Sequence, residues 1–105
     1  MAVPHHEPAL NHVELIGRVS AAPETRVLPS GDQIVSFRLI VPRDLAARRR
    51  TRQRVDTVQC TAWTAALRRK VARLTAGATV QVSGQLRIRF SRGPGGVLGR
   101  VTVDL

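Results

Sequence analysis

Apolar residues recur at every second position along most of this chain, and the spacing changes to that of a helix in one stretch only. Val13, Leu15, Gly17 and Val19 share one parity, as do Val35, Phe37, Leu39 and Val41. Val58, Cys60 and Ala62 follow, then Val80, Val82, Leu86 and Ile88, and finally Val101, Val103 and Leu105. A period of two puts these side chains on one face of a strand and their neighbours on the other, and a slip of one residue would exchange the faces. The pattern therefore predicts strands beginning near Asn11, over Ile34–Val41, over Val55–Trp63, over Thr79–Phe90 and over Val97–Leu105. A short extended piece, Arg26–Leu28, lies between the first two. The opposite parity carries Ser36, Arg38 and Ile40, then Thr57, Gln59, Thr61 and Trp63, then Gln81, Ser83, Gln85, Arg87 and Arg89, then Arg100, Thr102 and Asp104.

The helical stretch runs from Thr64 to about Ala76, with Leu67, Val71 and Leu74 as its apolar stripe, Thr64 as N-cap and Gly77 as its stop. Gly17 reads as a bulge and Gly84 as a bend. Leu45–Arg54 (LAARRRTRQR) is too charged for a core and reads as an exposed, mobile hairpin loop. Three strands, one helix and two strands give an all-β chain with one helix. This is the order of the OB-fold five-stranded barrel, with the helix between strands three and four, although another small barrel would show the same alternation. The length of 105 residues suits one domain. Residues 11–105 form it, and residues 1–10, aperiodic and Pro-containing, read as a flexible N-terminal tail.

Chemistry that needs convergent groups finds little support. The three histidines include two in the tail, the single cysteine excludes an internal disulfide, and the seven acids are scattered. The expectation is a protein that is no enzyme and takes no metal or cofactor. Parity puts Cys60 with Val58 and Ala62, so it packs inward. No apolar run is long enough to span a membrane and no signal peptide is visible, so a cytoplasmic, nucleoid-associated protein is expected.

Charge points the other way, toward a polyanion. Seventeen basic residues against seven acidic ones give a formal charge of +10, and sixteen of the bases are Arg, whose planar fork suits phosphate and stacks on bases. Arg48, Arg49, Arg50, Arg52 and Arg54 crowd one loop, while Arg38, Arg87 and Arg89 share the outward parity of different strands. Any one of them could be merely a solvated charge; together they describe a groove that tracks a phosphate backbone. Trp63, the only Trp, lies on that same parity with Gln59. It either stacks a base or packs beneath the helix or at a subunit contact, and both remain open.

The stretch NHVELIGRVSAAPETRVLPSGDQIVSF, from Asn11 to Phe37, resembles the opening of bacterial single-stranded DNA-binding proteins. Asn11, Val13, Leu15, Gly17, Pro23, Glu24, Arg26, Pro29, Ser30 and Gly31 keep that family's order and spacing. The likeness continues through Leu67, Val71, Leu74 and Gly77 to Gly84-Gln85-Leu86-Arg87. It implies sequence-nonspecific single-stranded DNA binding in replication, repair or recombination, with Trp63 at a stacking position. RNA stays open as an alternative polymer. It also implies a homo-oligomer, tetramer before dimer. Two stacking aromatics of the family are replaced, by Leu45 nearby and by Thr57, and Phe90, which falls one residue before a third, is a candidate DNA contact that reaches the strand only through a bulge. Two alternatives are a dimer like primosomal replication protein N and a structural OB module that co-assembles with a full-length relative.

Overall fold

The computed structural model describes residues 2–6 and 8–105. Within them the chain forms β1 (Val13–Val19), β2 (Glu24–Val27), β3 (Gln33–Pro42), α1 (Leu45–Arg50), β4 (Val55–Ala62), α2 (Ala65–Ala72), β5 (Thr79–Gly93) and β6 (Gly96–Asp104). Five strands close on themselves. β1 pairs with β5, β5 with β6, β6 with β4, and β4 with β3, which returns to β1 through Arg18 opposite Ile40 and Val19 opposite Leu39. Only the β4–β6 pairing is parallel. With α2 between β4 and β5, this is the OB fold. β2 is a sixth strand on the edge of β3 that β1 leaves free, pairing with Gln33–Ser36.

Two glycines make the closure possible. A Cβ on Gly17 would run into the carbonyl oxygen of Ile40, so β1 can cross β3 only with hydrogen at that position. Pairing with β5 continues unbroken through Gly17, so it is a close crossing rather than the bulge expected. A Cβ on Gly84 would strike the carbonyl oxygen of Asp104. Gly84 is where β5 changes partner, pairing with β1 through Thr79–Gly84 and with β6 from Gln85 onward. Asn11 extends the β1 pairing by side chain, its amide donating to the Leu86 carbonyl and accepting from the Leu86 N–H.

The core holds Val19, Val35, Phe37, Leu39, Cys60, Ala62, Val71, Val82 and Val103, and Val13, Leu15, Val41, Val58, Val80 and Leu105 of the inward parity pack against it partly buried. Each buried Val, Leu or Phe contributes about 1.5–3 kcal/mol relative to exposure. Burial pushes the Cys60 thiol up to about 11, so it stays protonated and packs as a small apolar group. Leu67, Val71 and Leu74 bring α2 down on this core. Thr64 caps the helix, its hydroxyl accepting from the Leu67 N–H at 3.3 Å.

The structure corrects several expectations. A second helix, α1, occupies the first part of the Leu45–Arg54 loop, because the Asp44 carboxylate accepts from the Ala47 N–H at 2.8 Å and starts a turn of helix-favouring residues. α2 stops at Ala72, where the Arg73 N–H turns back to the carbonyls of Lys70 and Val71; Gly77, at φ +86°, belongs to the turn into β5 instead. Leu86, Ile88 and Val101 keep inward parity but are exposed: Leu86 lies past the end of the β1 pairing at Gly84, Ile88 and Val101 lie past the last β4–β6 pair, and nothing among the described residues covers this apolar face. Thr61 and Thr102 have outward parity yet are buried.

Candidate nucleic-acid interface

The outward parities of β3, β4, β6 and β5 meet in register to make one face. Arg38 lies opposite Gln59, Gln59 opposite Thr102, and Thr102 opposite Arg87, a row of four polar side chains across four strands. The next row is Ser36, Thr61, Asp104 and Gln85. Arg89 and Arg100 face each other one step further along the hairpin. Arg38, Arg87 and Arg89 are therefore brought onto one surface with Gln59, which is half-buried in its middle.

Trp63 follows directly on β4, half-buried. The Arg89 guanidinium sits 5.5 Å over its ring, a cation–π distance. The Trp63 carbonyl accepts from the Arg68 guanidinium, which ties this end of β4 to α2. Arg89 Nη2 donates to Asp104 Oδ2 at 2.7 Å, and Arg87 Nε stands 3.9 Å from the same oxygen. Arg87 also donates to Gln85 Oε1. Trp63 Nε1, Thr102 Oγ1 and Asp104 Oδ1 are buried without a protein partner.

A polar cleft of about 400 Å³ is lined by Gln59, Arg38, Ser36, Arg26, Arg100 and Glu24 among others. Arg26 and Arg100 were not among the expected site residues. Arg100 was legible, since it shares the outward parity of Thr102 and Asp104. Arg26 comes from β2, whose four residues are too few to show a face.

The remaining expected residues do not join this cluster. Arg48, Arg49 and Arg50 form the last turn of α1, and Arg52 and Arg54 follow it. All five belong to the connection at the tip of the β3–β4 hairpin, whose last paired residues are Pro42 and Val55. Trp63 is just past the other end of β4, roughly 26 Å from Val55 at 3.3 Å per strand residue. The tip is braced by a forked pair, Arg43 Nε to Asp56 Oδ2 at 3.0 Å and Nη2 to Oδ1 at 2.8 Å. Those hydrogen bonds hold the Asp56 carboxyl below its ordinary range and raise Arg43. Phe90 is 72% exposed, but unbroken β5–β6 register puts it on the opposite face, with Leu86 and Ile88. No helix among the described residues is long and apolar enough to cross a membrane.

An OB fold with an arginine-rich, partly aromatic sheet face defines a class of oligomer-binding barrel. The model of the single-strand binding protein family matches residues 10–102, and the chain belongs to that family. A single-stranded DNA-binding protein of Oceanobacillus iheyensis is 28% identical over 93 residues, which cover 89% of this chain; the chain spans 57% of that relative's length. The solved structure of a Plasmodium falciparum SSB complex with ssDNA superimposes with a TM-score of 0.79 at 22% identity, over 96% of this chain and 90% of that one. Membership also carries the expectation that the chain is not an enzyme, since single-strand binding is not a catalytic activity.

Proposed function

We propose that the chain binds single-stranded DNA without strong sequence preference, in the cytoplasm, in the service of replication, repair or recombination. The observation that carries this reading is the continuous row Arg38–Gln59–Thr102–Arg87, with Trp63 and Arg89 beside it and the α1 arginines at the far end of β4. Arginines supply attraction to phosphate at both ends of the row and at the hairpin tip, and Trp63 and Arg89 supply planar surfaces for bases. A path of this length fits the roughly 4–16 nucleotides that one OB fold occupies. Phe90 has no part in it, because its face is turned away.

Self-association fits the same molecule. Leu86, Ile88, Phe90 and Val101 leave one face of the β5–β6 hairpin apolar and exposed, and Val13–Ile16 of β1 pair on one side only among the described residues. An open edge and an uncovered apolar face both favour a second copy, and a tetramer covers more of them than a dimer. The test is titration with single-stranded DNA, single-stranded RNA and duplex of equal length, following Trp63 emission, with sedimentation of the free protein alongside. Single-stranded DNA should move the emission at the lowest concentration, and the protein should sediment above monomer mass. Equal or tighter binding to duplex would overturn the single-strand reading.

A further inference from the structure

We propose that Asp104 is an internal stand-in for phosphate: it holds Arg89 over Trp63 and draws Arg87 toward the same oxygen, and single-stranded DNA has to displace it. This rests on the single-strand reading above and adds a regulating element to the same face.

Three observations meet at this carboxylate. Arg89 lies opposite Arg100 in register, whereas Asp104 lies opposite Gln85, so Arg89 must lean back along the strands to reach Asp104 Oδ2 at 2.7 Å. Its guanidinium comes to rest over the Trp63 ring. The surface a base would stack on is therefore already occupied by a cation, and the cation is held there by an acid. Arg87 Nε approaches the same oxygen to 3.9 Å, so one carboxylate engages two arginines of the face. Finally, the acid is the less accessible partner: its side chain is 19% exposed against 48% for Arg89 and 45% for Arg87. It stays fixed while the long arginines are free to swing, and charged oxygens on a fixed frame present to a guanidinium what a phosphate presents. Arg26, Arg38 and Arg100, by contrast, take part in no ion pair among the described residues. They are open to a strand from the outset, and Arg87 and Arg89 join after exchanging Asp104 for phosphate.

The test is Asp104→Asn in the full chain, titrated with a thymidine oligodeoxynucleotide across a salt series while Trp63 emission is followed. Removing the competing charge should tighten binding by up to about fivefold at low salt, the upper end of what a partly exposed ion pair is worth. The slope of log K against log salt should steepen by about 0.7 for each arginine released to phosphate. The emission of the free variant should already differ from wild type, because Arg89 no longer rests on the ring. Asp104→Glu keeps the charge and should bind as wild type does. Glu14→Gln, which removes an acid on β1, should change affinity less than Asp104→Asn. Asp104→Ser repeats the test should the asparagine variant unfold. A wild type whose emission ignores the oligonucleotide overturns the single-strand reading and this inference with it. A wild type that binds, with Asp104→Asn binding no tighter and with an unchanged slope, overturns this inference alone.

Discussion

The two ends of β4 carry the same kind of residue in opposite states. At the Trp63 end the arginines are paired or stacked and the aromatic is half-buried. At the Val55 end Arg48, Arg49, Arg50, Arg52 and Arg54 crowd a short helix and its exit, and none is in an ion pair among the described residues. The contrast separates two contributions to binding. Charge on an exposed tip acts at long range and is screened by salt, whereas stacking at a half-buried ring acts at contact and is tied to the fold around it.

Removing the tip's charge should have the largest effect. Arg48, Arg49 and Arg50 replaced together by Ala should flatten the single-strand salt slope by about two units, which at 0.1 M salt amounts to about a 100-fold loss of affinity that fades toward 1 M. Fold stability should hardly change, since little of the core touches α1. Affinity and slope that stay as in wild type would make α1 a solvated ornament and confine the site to the sheet face.

The other end should break differently. Trp63→Ala should cost about 1–3 kcal/mol in single-stranded DNA affinity with the salt slope nearly constant, because no charge is lost. Trp63 is half-buried and carries the Arg89 guanidinium over its ring, so some thermal stability should go with it. If that variant unfolds while wild-type emission ignores single-stranded DNA, Trp63 is a packing residue and the contrast between the two ends collapses.

How much of this was legible follows the same division. Period two placed Arg38, Gln59, Arg87 and Arg89 on one face, and their register across four strands is what the alternation required. Parity specifies a face but not what covers it. Thr61 and Thr102 lie in β4 and β6, in the middle of the sheet among longer side chains, and are buried on the polar side. Leu86, past the end of the β1 pairing, and Ile88 and Val101, past the last β4–β6 pair, are exposed on the apolar side. Distance along a strand was equally silent: Trp63 and the Arg cluster flank one strand in sequence, and only the extended backbone shows them to be far apart. α1 escaped notice because it has no apolar stripe. Its signal was Asp44, an N-cap directly before Leu45-Ala46-Ala47.

The smallest effect concerns what steadies the tip. Arg43 and Asp56 pair across the base of the α1 connection, and the Gln53 side chain joins them by donating to Asp56 Oδ1 at 3.1 Å and to the Val55 carbonyl at 2.8 Å. Hydrogen bonds from Arg43 depress the Asp56 pKa below its ordinary 3.8 in the folded protein. A carboxyl whose folded pKa is depressed contributes its full stabilisation above the unfolded value and loses it as pH falls through the lower, folded value. The brace should therefore be intact throughout neutral and mildly acidic pH and should loosen only below about 3.8. Both partners face solvent, so the loss should be local rather than global. Amide exchange at α1, compared between wild type and Asp56→Asn at pH 6, should be faster in the variant, with the melting temperature barely moved. At a pH below the depressed value the two proteins should exchange alike at α1. Equal exchange already at pH 6 would show that the Asp44 cap alone holds the helix and that the charge cluster at this end needs no brace beneath it.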